Sequence, residues 1–264
     1  MNIESHYRRL EVIYQMFLYL KGREFAMQNV SSGIMTRKIC ISRAQGFQYW
    51  FRNMHLGKKQ YNLYYSIAGF DSVPPRSRDL QAPLLDGDFW KKDWMHMRSF
   101  DFFVDIDGDD APFRAVIDSA DSIMMLLDRL DVPYELVFSG RGIHIKVPYD
   151  DSLRGYSFYP DASNSIYRFY GRLLGRLHRE YSELVDSMNI ADKSRLCKIP
   201  YSLAIYPGCV RQSFQFNSSL EWRKFKSGYG AMSAPEYWIG KIYKRGRFTF
   251  NETGRAINLQ GVLG

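Results

Sequence analysis

Phe102-Phe103-Val104-Asp105-Ile106-Asp107-Gly108 sets an apolar run around two carboxylates separated by one residue. Apolar, β-prone residues stopped by a glycine predict a strand over 100–106, and the two-residue period of a strand puts Asp105 and Asp107 on one face. Two carboxylates side by side repel, and burying them is costly unless cations neutralise them. The pair therefore reads either as a divalent-cation site or as an exposed acidic strand end feeding the turn at Gly108-Asp109-Asp110. An EF-hand loop is excluded, because its glycine would fall at Asp110 and its closing glutamate at Val116.

Downstream, Val137-Phe138-Ser139-Gly140-Arg141-Gly142-Ile143-His144-Ile145 places a tight glycine-containing turn between two apolar runs, predicted strands over 134–139 and 143–147. Such a turn exposes backbone N–H groups and brings Ser139, Arg141 and His144 to one end of a sheet, a set suited to phosphate oxygens. The alternative is a hairpin whose histidine is merely on the surface. Ser139 and His144 do not form a hydrolase dyad, since Ser139 lacks the GxSxG elbow and no orienting acid accompanies it. A third segment joins Val185-Asp186 to Arg195-Leu196-Cys197-Lys198-Ile199-Pro200-Tyr201-Ser202-Leu203. Read locally, Asp186 ends a long helix over 163–188 and would be solvated, while Lys198 before Pro200 reads as a strand edge.

Around these motifs the pattern alternates strands and helices. An amphipathic helix is predicted over 3–20 and ends at Gly22; strands follow over 24–27 and 37–41 around Ser31-Ser32-Gly33, then a helix over 45–56 and a strand over 61–68. Residues 71–88, with Pro74, Pro75 and Pro83, read as a loop. A helix over 115–130 separates the first two motifs. This alternation predicts a layered α/β (α+β) architecture in a single catalytic domain over 1–264, with parts over 1–98, 99–215 and 216–264. The last part is basic and aromatic, as in Trp222-Arg223-Lys224-Phe225-Lys226 and Lys241-Ile242-Tyr243-Lys244-Arg245.

In the 264 residues, 36 Lys and Arg against 28 Asp and Glu give a net charge of +8, which points toward a polyanion such as nucleic acid. With 45% hydrophobic and 24% charged residues the chain can bury a core, which excludes an acidic disordered protein. The 19 Tyr and 18 Phe supply stacking surface for unpaired bases or, alternatively, fill the core. No apolar run approaches the roughly 18 residues of a membrane span, and the N-terminus lacks a basic-then-apolar signal. An intracellular protein, cytoplasmic or nucleoid-associated, with no membrane partner is expected. Cys40, Cys197 and Cys209 form neither a disulfide framework nor a CxxC zinc site.

Together, in this order and spacing, the three motifs resemble the catalytic core of the archaeo-eukaryotic primase superfamily, closest to the small primase subunit and the primase-polymerases. Asp105 and Asp107 fit its first motif and Ser139-Gly140-Arg141-Gly142-Ile143-His144 its SxH-type second. Val185-Asp186 with Leu196-Cys197-Lys198-Ile199-Pro200-Tyr201-Ser202 fits the third. Arg23-Glu24-Phe25-Ala26 looks like the Arg-Glu-Phe segment of small primase subunits, with Arg37 at a basic position on the next strand. The resemblance spans roughly residues 5–215. It departs at Ala204, where the family often has a histidine near the sugar of the incoming nucleotide, and in lacking a Cys/His zinc knuckle.

The resemblance implies an N-terminal αβ part, an RRM-like catalytic part and template-directed, two-metal nucleotidyl transfer that makes short primers on single-stranded DNA. Asp105, Asp107 and Asp186 would be the catalytic carboxylates and ligands of Mg²⁺ or Mn²⁺, whose preference for oxygen suits them. Asp192 is the alternative third ligand. Ser139, Arg141, His144, Lys198 and Arg37 would bind the nucleotide. Partners would be the template strand, NTPs or dNTPs, and a large primase subunit or other replication protein. Two other readings remain: a primase-fold nucleic-acid or nucleotide binder without catalysis, and a metal-dependent phosphohydrolase with an aspartyl nucleophile. The phosphatases with that motif usually carry Thr or Val where this chain has Asp109.

Overall fold

The computed structural model describes residues 3–20, 22–40, 47, 60–70, 97–107, 112–129, 131–147, 184–186, 195–206, 209–216 and 218–228. The predicted helix over 45–56 (Phe47 apart), the loop over 71–88, most of the helix over 163–188, Asp192 and the basic run 241–245 lie outside them.

The chain opens with α1 (Ile3–Tyr7) and α2 (Leu10–Leu20), two helices where periodicity predicts one. The break has a packing cause. His6 Nε2 donates to the Tyr201 carbonyl at 2.9 Å and the Tyr7 hydroxyl accepts the Leu203 N–H at 2.8 Å, so α1 is docked onto a distant loop. The Arg9 N–H bonds back to His6, a three-residue step, before α2 begins. Gly22, at φ 69°, turns the chain into β1 (Arg23–Asn29). A tight turn, in which the Asn29 side chain accepts the N–H groups of Ser31 and Ser32, leads to β2 (Met35–Cys40). Then come β3 (Tyr61–Phe70) and β4 (Met97–Phe100). These strands form an antiparallel sheet in the order β2-β1-β3-β4, and the short β8 (Leu196–Lys198) adds to β3.

The predicted strand over the two carboxylates is β5 (Phe102–Ile106). It is followed by α3 (Phe113–Arg129), β6 (Glu135–Phe138) and β7 (Ile143–Val147). Since β7 runs antiparallel to both β5 and β6, the crossover β5-α3-β6 is a split βαβ unit with β7 inserted. β11 (Phe214–Gln215) completes this sheet in the order β11-β6-β7-β5. On α3, Val116, Ile117, Ala120, Ile123, Met124 and Leu127 recur at helical spacing and are all buried. Apart from Ala120, each contributes up to roughly 1.5–3 kcal/mol of apolar burial. β9 (Leu203–Tyr206) and β10 (Cys209–Gln212) form a separate hairpin, and α4 (Ser219–Gly228) follows. The sheets are antiparallel throughout, so the fold is α+β, as the sequence predicts.

The interface between the two sheets is ionic as well as apolar. The Arg23 guanidinium contacts Asp101 at 2.6 Å and donates to the carbonyls of Ser66 and Ile67; Lys146 contacts Glu135 at 2.6 Å and donates to the Tyr65 hydroxyl at 3.1 Å. All four charged residues are buried, and their formal charges cancel. Asp101 immediately precedes β5 and its N–H bonds to Ile67 on β3, so the network ties the carboxylate strand to the first sheet.

Candidate active site

Register places the chemistry. Asp105 on β5 stands opposite His144 on β7, with His144 Nε2 3.4 Å from Asp105 Oδ1. Burial pushes the Asp105 carboxyl up, but His144 and then Arg195 outweigh it and hold it at about 2, so the group is ionised. The turn between β6 and β7 is stapled by Ser139: its N–H bonds to the Gly142 carbonyl, and its Oγ accepts the Gly142 N–H at 3.0 Å. Gly142 is needed because a Cβ there would stand 2.3 Å from the Ile106 carbonyl oxygen. The turn thus rests on the end of the carboxylate strand. From its tip, Arg141 reaches Asp107 at 2.5 Å and lies 5.5 Å from the Tyr206 ring.

Asp186 arrives by a route the sequence misreads. Residues 184–186 are not helical as predicted: Val185 forms an antiparallel bridge with Ile106, the Asp107 N–H bonds to Leu184, and the Asp186 N–H bonds to the Asp105 carbonyl at 2.9 Å. Pairing with β5 overrides helical periodicity here and sets the third carboxylate beside the first. Asp186 is held at a sheet margin, not at a solvated helix end.

Three further cations come from the first sheet or its border. Lys198 on β8 faces Tyr64 on β3; its Nζ donates to Asn62 Oδ1 at 2.8 Å and lies 5.0 Å from the Tyr64 ring. Asn62 is itself oriented by the N–H and carbonyl of Ile205. Burial pushes the Lys198 amine well below the usual lysine range. Arg37 on β2 makes a forked pair with Glu24 at 3.1 and 3.2 Å. Arg195, immediately before β8, contacts Asp105 at 2.5 Å and Asp186 at 3.3 Å through one nitrogen, Nη2.

All eight predicted site residues, Asp105, Asp107, Asp186, Ser139, Arg141, His144, Lys198 and Arg37, line one cleft of about 390 Å³. Gln28, Met35, Tyr64, Arg195, Leu196 and Tyr206 complete its wall. Sequence reasoning did not single out Arg195, Tyr64 or Tyr206. Arg195 borders the third motif, but only the fold shows that it turns back onto the carboxylates. The Tyr64 hydroxyl is pushed up to about 12, by burial and then by Tyr206.

Mg²⁺ or Mn²⁺ fits this donor set in its chemistry, since the carboxylates offer only hard oxygen ligands and Asp105 is fully ionised. As placed, however, the carboxylates converge on guanidinium groups. Among the described residues no group of three or more Asp, Glu, His or Cys side chains is gathered as metal ligands would be. No described helix is long and apolar enough to cross a membrane.

Neither a protein-family model nor a curated protein matches the sequence. Among solved structures, the chain is similar to the polymerase domain of Ligase D from Mycobacterium tuberculosis, determined in complex with DNA. That similarity has a TM-score of 0.50 and 15% identity over 85% of this chain and 81% of that chain. The chain shares the fold of that polymerase domain. The catalytic domain of primase RepB′ in complex with initiator DNA gives a TM-score of 0.44 at 12% identity, covering 85% of this chain and 98% of that chain. Primase RepB′ gives the same score and identity over 88% and 67%. Neither of these two scores bears on the assignment, and identities this low speak to the fold alone.

Within this fold two sequence expectations are refined. Ala204 is fully buried against the Gly140 backbone and is absent from the cleft wall, where Tyr206 stands instead. The aromatic residues of Trp222-Arg223-Lys224-Phe225-Lys226 are core: Trp222 and Phe225 are buried, and Lys226 pairs with Asp121 at 2.6 Å.

Proposed function

We propose that the chain is a template-directed nucleotidyltransferase of the primase-polymerase type, which makes short primers on single-stranded DNA. The observation that carries this reading is that three carboxylates, one on β5, one just after it and one at residue 186, line one cleft with Arg141, His144 and Lys198. Joining two nucleotides requires an oxygen to attack the α-phosphate in line while pyrophosphate leaves, with negative charge building on both sides. Asp105, Asp107 and Asp186 would hold the divalent ions, which supply charge stabilisation for the attacking and leaving oxygens. Lys198 and Arg141 approach the cleft from opposite sheets and would grip the triphosphate from two sides. His144 orders the Asp105 carboxylate. The Ser139 hydroxyl is committed to the Gly142 backbone, so its part is to shape the turn and not to contact phosphate. The Ligase D domain was seen with DNA, and a net charge of +8 suits the same kind of partner here.

The test is a gel assay on single-stranded DNA without a primer, with labelled NTPs or dNTPs under Mg²⁺ or Mn²⁺, and Asp105→Ala as control. Short products lost in the folded variant support the reading. Template binding that ignores divalent ions, with no product, replaces it with a non-catalytic nucleic-acid binder. Turnover of a small phosphate ester through a phosphoryl-aspartate replaces it with a phosphohydrolase.

A further inference from the structure

We propose that Arg195 is the resident counter-cation of the carboxylate site, holding Asp105 and Asp186 together until a divalent ion displaces it. The inference rests on the reading of these carboxylates as metal ligands and adds a role for a residue to which the motifs assign none. One nitrogen, Nη2, reaches both Asp105 Oδ2, at 2.5 Å, and Asp186 Oδ2, at 3.3 Å. A guanidinium built for a permanent carboxylate pair presents its fork, two parallel N–H donors to two oxygens, as Arg37 does to Glu24. Arg195 does not. Its Nε is buried with no hydrogen-bond partner among the described residues, an arrangement that leaves donor capacity unused.

The backbone is anchored, and the head has an open side. The Arg195 carbonyl accepts the Ile67 N–H at 3.1 Å, which anchors the residue to β3, and its guanidinium lies 5.9 Å from the Phe103 ring. The side chain is 24% exposed, so it has an open side into which it can swing. A cation at this point solves the electrostatic problem of Asp105 beside Asp186 in the metal-free protein. It also opposes any divalent ion seeking the same oxygens, by linkage: whatever stabilises the metal-free form weakens metal binding by the same free energy.

The measurement is Mn²⁺ affinity without nucleotide, followed by electron paramagnetic resonance of free Mn²⁺, on wild type, Arg195→Gln, Arg195→Lys and Asp105→Asn. Arg195→Gln removes the competing charge and is expected to tighten Mn²⁺ binding by about tenfold or more. Arg195→Lys keeps a charge that cannot span both carboxylates as Nη2 does and is expected to fall between wild type and Gln. It serves as the test if Gln does not fold. Unchanged or weaker Mn²⁺ binding in the folded Arg195 variants, with binding lost in Asp105→Asn, overturns the role of Arg195 and leaves the metal reading intact. Asp105→Asn binding Mn²⁺ as well as wild type, or neither wild type nor the folded Arg195 variants binding it, overturns both.

Discussion

Gly140 packs directly on Ala204: a Cβ built on the glycine would stand 2.3 Å from that of the alanine, and the glycine sits at φ 104°. Arg211, the cross-strand partner of Ala204, donates to the Gly140 carbonyl at 3.0 Å. The β9–β10 hairpin therefore sets the position of the turn that carries Arg141. Gly140→Ala meets both a forbidden backbone region and a collision, and is expected to cost about 2 kcal/mol or more in urea unfolding. Ala204→His is expected to lower total incorporation by displacing the turn, with the ratio of NTP to dNTP use unchanged. A shifted ratio at full activity would return position 204 to the sugar.

His6 makes stability depend on pH. Burial holds its imidazole down at about 4, against an ordinary value of 6.5. A folded value below the unfolded one means that the neutral ring stabilises the fold fully above pH 6.5, and that this is lost as pH falls from 6.5 toward 4. The protein is expected to be about 2 kcal/mol less stable at pH 5 than at pH 7 from this group alone. His6→Gln keeps an N–H for the Tyr201 carbonyl and should flatten that slope in chemical denaturation across the same range.

The buried network between the sheets is fragile to the loss of one member. Burial would lower the Lys146 amine, but Glu135, Tyr65 and Asp101 outweigh it and raise the amine above its ordinary value. Lys146→Met leaves Glu135 as a buried charge and is expected to cost about 3–5 kcal/mol. Adding Glu135→Leu should recover a large part of that, because the pair is replaced by apolar volume. A double mutant no more stable than the single would show that Glu135 is not held by Lys146.

The site was more legible in the sequence than its scaffold. Asp105, Asp107, Ser139 and His144 declare themselves because strand alternation and a glycine turn fix their geometry locally, and the structure brings them to one cleft. Asp186 is legible only as a motif member: its neighbours suggest a helix, and the bridge of Val185 to Ile106 is a contact between residues far apart in sequence. Arg195 left no local signal, since its two carboxylate partners are 90 and 9 residues away. The same holds for α1, whose separation from α2 follows from docking at Tyr201 and Leu203, nearly two hundred residues on.

In the proposed reading, Lys198 trades stability for phosphate binding. Its amine is buried with a neutral acceptor, Asn62, and burial depresses its pKa well below that of an ordinary lysine. A depressed folded value means that the charged form disfavours folding, so stability should rise with pH from that lowered value up to the unfolded value of about 10.4. Lys198→Met removes the penalty and is expected to fold at least as stably as wild type in urea. The same substitution should weaken triphosphate binding by about 100-fold, because a charge-assisted phosphate contact at a buried site is lost. In wild type, a triphosphate anion entering the cleft favours the ammonium, so binding should take up a proton and weaken as pH rises. Calorimetry in buffers of different ionisation heat measures that uptake. If Lys198→Met binds nucleotide as tightly as wild type with no change in proton uptake, the amine is a structural strut between β8 and Asn62 and the phosphate grip belongs to Arg141.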